Sequence, residues 1–207
     1  MIEDTSLEVF LNELASKTPT PGGGSAAAIM GGMGAALVAM VCNLTINKKA
    51  YEAVDAEMRD ILQRAEVLRE QLTGMMRQDI EAFDRVMSAY GLPRETEAEK
   101  AVRSQAIQSA LKDATEVPLA CARASAEIIA LSRVVAEKGN KNVVSDAGVA
   151  VVAAYAALKS SALSVRVNTG ALSDVSFATQ SITELDVILD GADTAMREIY
   201  QEVVHRL

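Results

Sequence analysis

The chain has 207 residues, half of them hydrophobic, only 3% aromatic and none Trp, and it carries a formal net charge of -8. An acidic balance of this size works against nucleic-acid and anionic-membrane partners, which are held by basic patches. The single histidine, His205, excludes a His-based triad or a multi-His metal site within one chain.

The length fits one domain, residues 1–207, with a core of Ala, Val, Leu, Ile and Met that suits closely packed helices. Residues 5–16 read as a short amphipathic helix that stops before Pro19 and Pro21. The next stretch, Thr18 to Asn47, has no charged residue and is long enough for a membrane span. It is rich in Ala and Gly, holds Asn43 and Thr45 and lacks an aromatic belt, so it reads as a buried core helix. Gly31, Gly34 and Ala35 would let another backbone approach closely, within the chain or across a dimer. Helical spacing resumes from about Ala50 to Tyr90, and GLPRETEAE with Pro93 marks a corner. Residues 96–138 are helical again, with Pro118 a kink or break and Gly139 a stop. A second mostly apolar helix follows from Ser145, and one amphipathic C-terminal helix runs from LSDVSF to about His205. The fold class is therefore all-α, a multi-helical up-and-down bundle with long helices. Cys42 and Cys121 lie far apart in apolar segments, without metal-ligand spacing or a secretory leader, which points to a reducing cytoplasm.

Three clusters carry chemistry. Gly22, Gly23, Gly24 and Ser25 precede the uncharged helix. They read either as an anion site at a helix start or as a plain entry turn with Ser25 as N-cap. Asp79 shares a helical stripe with Met76, Phe83, Val86, Met87 and Tyr90, while Asp84 falls on the outer face. Asp79 is thus an inward carboxylate, either a proton carrier with a raised pKa or one half of an ion pair with Lys48, Lys49 or an arginine. In GNKNVVSDAG, Ser145 and Asp146 are explained by capping, whereas Asn140 and Asn142 are not. Asn168 falls on the face of Asp146 but about 33 Å further along a continuous helix, so the two can share one small reacting centre only across a dimer.

PTPGGGSAAA, VCNLTINKKAY, QDIEAFDRVMSAYGLP and GNKNVVSDAGVAVV, in this order and over essentially the whole chain, resemble the formiminotransferase-cyclodeaminase C-terminal family. The likeness is greatest to its stand-alone, cyclohydrolase-type members. The resemblance implies an all-helical cytoplasmic homodimer that acts on a tetrahydrofolate with no metal and no cofactor beyond that substrate. The reactions implied are hydrolysis of 5,10-methenyltetrahydrofolate to 10-formyltetrahydrofolate and cyclisation of 5-formiminotetrahydrofolate with loss of ammonia. No transferase-like stretch precedes the first helix, which turns the expectation toward hydrolysis, with cyclodeamination or non-catalytic folate binding as alternatives. On this resemblance Asp79, Lys48 and Asp146 are the catalytic candidates. Gly22, Gly23, Gly24, Ser25, Lys49, Asn140, Asn142 and Asn168 are the substrate-binding ones.

Overall fold

The computed structural model describes residues 5–207. Helix α1 (Leu7–Leu14) is capped by the Ser6 hydroxyl, which accepts the Val9 N–H, and buries only Phe10. Five further helices follow: α2 (Gly23–Asn43), α3 (Asp55–Tyr90), α4 (Glu97–Lys138), α5 (Val144–Gly170) and α6 (Val175–Leu189). The last, α7, spans Ala192–Arg206. Short 3-10 turns at Lys49–Val54 and Lys141–Val143 lead into α3 and α5. No strand occurs among the described residues. The helices alternate in direction: the start of α2 lies beside the end of α5, and the end of α2 beside the start of α5. This is the all-α up-and-down bundle expected.

α2 is the hub, packed against α3, α4 and α5. Its glycines set the spacing. A Cβ on Gly34 would come within 3.1 Å of the Ala150 carbonyl and 3.3 Å of the Ala154 N, so bare backbone lets α2 and α5 touch. Gly31, Gly34 and Ala35 are all buried in this way inside one chain, so they are not a surface offered to a second copy. Met58, Leu72, Leu119, Ile128 and Leu158 fill the space between helices with no solvent exposure to speak of. Core hydroxyls bond back along their own helices, Thr115 to the Leu111 carbonyl and Ser132 to the Ile128 carbonyl. Two stretches, Gly23–Asn43 and Lys141–Gly170, are long and apolar enough to cross a membrane. Half or more of each apolar stretch is buried within the bundle.

Four expectations need correction. Of the kink or break expected at Pro118, the break does not occur, since α4 runs through it. The missing N–H of Pro118 frees the carbonyl of Ala114, and Asn168 Nδ2 donates to that carbonyl at 2.7 Å. The C-terminal segment is two helices, because Gly191 at φ +72° turns the chain between Asp190 and Ala192. α5 begins at Val144, so Ser145 lies inside its first turn and is no cap, while Asn140 caps the preceding 3-10 turn. α2 begins at Gly23 with Gly22 as its N-cap residue, so Ser25 is not the cap either.

α3 outruns α2. At 36 residues against 21, its last turns extend past the start of α2 and pair with the first turns of α4. This arm has its own small core of Ala89, Ile107, Ala110 and Leu111. A cavity opens beneath it.

Candidate active site

The cavity, of about 530 Å³, lies between the α2 entry turn, the α3–α4 arm and the end of α5. That volume suits a small organic ligand. One wall is Phe83, Val86, Met87 and Tyr90 of α3, and the opposite wall is Leu163, Val167 and Asn168 of α5. The α3 stripe therefore faces an open cavity in its last turns, and Met87 and Tyr90 stay 52% and 44% exposed. Asp84 is on the outer face, as its register requires.

Among the described residues Asp79 is the one carboxylate lining the cavity, and no lysine, arginine or histidine lines it. The carboxylate sits at the N-terminus of α2. Ser25, 0% exposed, donates its hydroxyl to Asp79 Oδ2 at 2.9 Å, and its backbone N–H also faces the acid. Gly22 offers no side-chain cap, so a residue 55 positions downstream of Gly24 supplies one from another helix. Gly24 makes room: a Cβ there would stand 2.0 Å from Asp79 Oδ1. Burial pushes the Asp79 carboxyl above its ordinary range, and the Ser25 hydroxyl and N–H only partly oppose that. Asp79 has no ion-pair partner among the described residues, which leaves the proton-carrier reading standing.

The remaining predicted residues lie at the other end of the bundle. α2 alone separates Gly22 from Leu44 by about 32 Å. Lys48 and Lys49 are exposed and line a polar cleft with Asn47, Glu52 and Asp55. Asn140, 3% exposed, ties this end together. Its Nδ2 donates to the Leu44 carbonyl, its backbone N–H to Thr45 Oγ1, and its Oδ1 accepts from the Asn142 N–H. Asn142 is exposed and Asp146 half-buried nearby. One subunit thus brings together Gly22, Gly23, Gly24, Ser25, Asp79 and Asn168, and separately Lys48, Lys49, Asn140, Asn142 and Asp146. It does not bring Asp79 to Lys48.

No group of three or more metal-binding side chains occurs among the described residues. Both cysteines are buried. Burial pushes the Cys42 thiol up to about 12 and raises Cys121 as well, so neither is a nucleophile at neutral pH. Sequence reasoning missed the apolar wall as a binding surface and missed Arg103. That residue donates Nε and Nη2 to the Tyr90 carbonyl and stacks 5.6 Å from the Tyr90 ring.

The chain is 56% identical over 203 residues to the methenyltetrahydrofolate cyclohydrolase of Methylorubrum extorquens, covering 98% of both chains. It is 30% identical over 191 residues to the formimidoyltransferase-cyclodeaminase of Rattus norvegicus, of which it spans 35%. The solved formiminotetrahydrofolate cyclodeaminase from Thermotoga maritima superposes over 100% of this chain and 98% of that one, with a TM-score of 0.84 and 33% identity. The family model for formiminotransferase-cyclodeaminase matches residues 6–187, and the chain belongs to that family.

Proposed function

We propose that the protein is a methenyltetrahydrofolate cyclohydrolase, adding water to the amidinium carbon of 5,10-methenyltetrahydrofolate to give 10-formyltetrahydrofolate in one-carbon metabolism. The observation that carries the reading is Asp79, a half-buried carboxylate that has no ion-pair partner and is the one charged group lining the cavity among the described residues. A cavity of that kind attracts a flat organic cation, and the substrate is one. Because the amidinium is already electrophilic, the chemistry asks for a positioned water and a proton acceptor. Asp79 takes the first water proton as the C–O bond forms. It returns that proton to N5 as the C–N5 bond breaks, and the hydroxyl proton leaves as the formyl carbonyl closes. One proton is released overall, and no other cofactor is required by these steps.

Lys48 and Asp146 reach this centre only from a second copy. A two-fold axis across the middle of α2 would set the Gly22 end of one subunit against the Lys48 end of the other. The surface there is apolar: Met33 is 57% exposed, and Met40, Leu44, Val152 and Leu163 are exposed along the same two helices. In such a homodimer Lys48 stands between Asp79 and N5 as a relay for the proton that Asp79 returns. Asn142 and Asp146 meet the polar edge of the pterin, and Asn168 lines the cavity from the Asp79 side. We place the dimer in the cytoplasm.

A second reading, cyclodeamination of 5-formiminotetrahydrofolate, draws on the solved relative's name and passes through the same tetrahedral carbon. The near-ultraviolet absorbance of the methenyl substrate distinguishes the two. Protein-dependent loss of the amidinium chromophore, with 10-formyltetrahydrofolate as product, supports hydrolysis. No loss, but ammonia release from the formimino substrate, supports cyclodeamination. Folate binding without either leaves a carrier.

A further inference from the structure

Resting on the folate reading, we infer that Arg103 is a specificity-determining residue that binds the carboxylates of the substrate's glutamate tail at the Tyr90 end of the cavity. Most arginines of this chain answer a carboxylate: Arg64 pairs with Glu127, Arg123 with Glu184, Arg133 with Glu198 and Arg166 with Asp186. Lys112, near the same cavity, pairs with Asp174. Arg103 has no acidic partner among the described residues. Its two hydrogen bonds go to the Tyr90 carbonyl at 3.2 and 3.1 Å, and its guanidinium lies over the Tyr90 ring. These contacts fix the planar group while using two of its five N–H donors. A guanidinium held in place with donors to spare suits bidentate capture of a carboxylate.

The spacing matches a two-ended ligand. Tyr90 is eleven residues beyond Asp79 on one uninterrupted helix, about 16 Å along its axis. Between them Phe83, Val86 and Met87 form an apolar wall, against which an aromatic ring can lie. The substrate has the complementary order: a cationic reacting centre, a benzoyl ring, then an anionic glutamate. The position at the α2 N-terminus, where an anion would otherwise dock, is already filled by Asp79. That leaves the glycine turn no free anion position for the tail.

The test compares kcat and KM for methenyltetrahydrofolate and for methenyltetrahydropteroate, which lacks the glutamate, in the wild-type chain and in Arg103→Gln and Arg103→Lys. The expected result is a KM for the glutamylated substrate raised about tenfold or more in Arg103→Gln, less in Arg103→Lys, with kcat kept. The pteroate KM should not change. Equal effects on both substrates would make Arg103 a structural clasp of the arm and overturn the inference, as would no effect on either. Should Arg103→Gln fail to fold, Arg103→Lys decides by the same substrate difference. If the wild-type chain turns over neither compound, hydrolysis fails instead. The same comparison is then read as equilibrium binding of tetrahydrofolate and tetrahydropteroate, and absence of any folate binding overturns both readings.

Discussion

Replacing Gly24 by Ala separates the carboxylate's position from the stability of the helix that it caps. In a helix this change is ordinarily favourable by about 1 kcal/mol. Here the new Cβ would lie 2.0, 2.5 and 2.7 Å from Oδ1, Cγ and Oδ2 of Asp79, so the whole carboxyl must leave the α2 N-terminus. Ser25 then loses its 2.9 Å acceptor and keeps only the Met76 carbonyl at 3.5 Å. A buried hydroxyl left short of a partner costs about 1–3 kcal/mol. The two effects sum to a loss of about 0–2 kcal/mol, which for a chain of this size lowers Tm by less than about 8 °C. Turnover should fall far more, by about 100-fold or beyond, because displacing a reacting group by an ångström has that effect. Thermal denaturation and the absorbance assay read the two quantities on one sample. Gly74→Ala is the control: α3 has nothing within 4 Å of a Cβ there, so Tm should rise by about 2–4 °C at unchanged turnover. Gly24→Ala with wild-type turnover would refute the placement of Asp79 in the chemistry.

Asp79→Asn should keep the fold and lower turnover by about 10²- to 10⁴-fold; near-normal turnover removes Asp79 from the mechanism. Its stability effect has a definite sign. Burial holds the folded carboxyl's pKa above the unfolded value, so the folded chain binds that proton more tightly and loses stability as pH rises through the window between the two. Asp79→Asn should therefore be at least as stable as wild type at neutral pH and lack that loss, whereas a lower Tm at neutral pH would contradict the burial argument. In the wild type the acidic limb of kcat/KM should lie above the usual carboxylate range, since activity is lost as Asp79 protonates. Asn168→Ala should cost about 1–3 kcal/mol by orphaning the Ala114 carbonyl. The cost should shrink in a Pro118→Ala background that restores the missing N–H; additive costs in denaturant unfolding would disprove the link. Met33→Glu, placed at the middle of the exposed α2 stripe, should shift the proposed homodimer to monomer in sedimentation and lower turnover with it. A dimer unaffected by this change would move the interface elsewhere.

The helices were legible because their signals are local. A 3.6-residue period and the Pro93 corner lie within a few residues of what they determine. The site was legible only in part. Asp79 stood out as an acid on an apolar stripe, yet the identity of the stripe's neighbour depends on helix lengths. α3 is about 54 Å long and α2 about 32 Å, so α2 cannot cover the stripe beyond Asp79, and Phe83 to Tyr90 line a cavity. Ser25 resembled a cap because caps are local, whereas its partner lies 54 residues away. Pro118 resembled a break for the same reason: the amide that rescues Ala114 comes from another helix. Lys48 sits in a family-like stretch, but a motif carries no distance, and one α2 length separates that lysine from Asp79.

The trans-cap gives Asp79 a property that an isolated buried acid would lack. The α2 N-terminus and Ser25 favour the charged form, while burial favours the neutral one, and burial is the larger effect. In the proposed reaction a bound amidinium adds to the effects that favour the charged form, which is the form a base needs before water attacks. Once the C–O bond forms, the carbon is tetrahedral and the cation is gone. Its field disappears with it, which would make the carboxylate a stronger proton acceptor when the added water must lose a proton. In the proposed reaction the acid's basicity is thus tied to the charge of the reacting carbon. Gly24 permits the placement on which this proposal rests, because a Cβ at the start of α2 would displace the Asp79 carboxylate from the helix end.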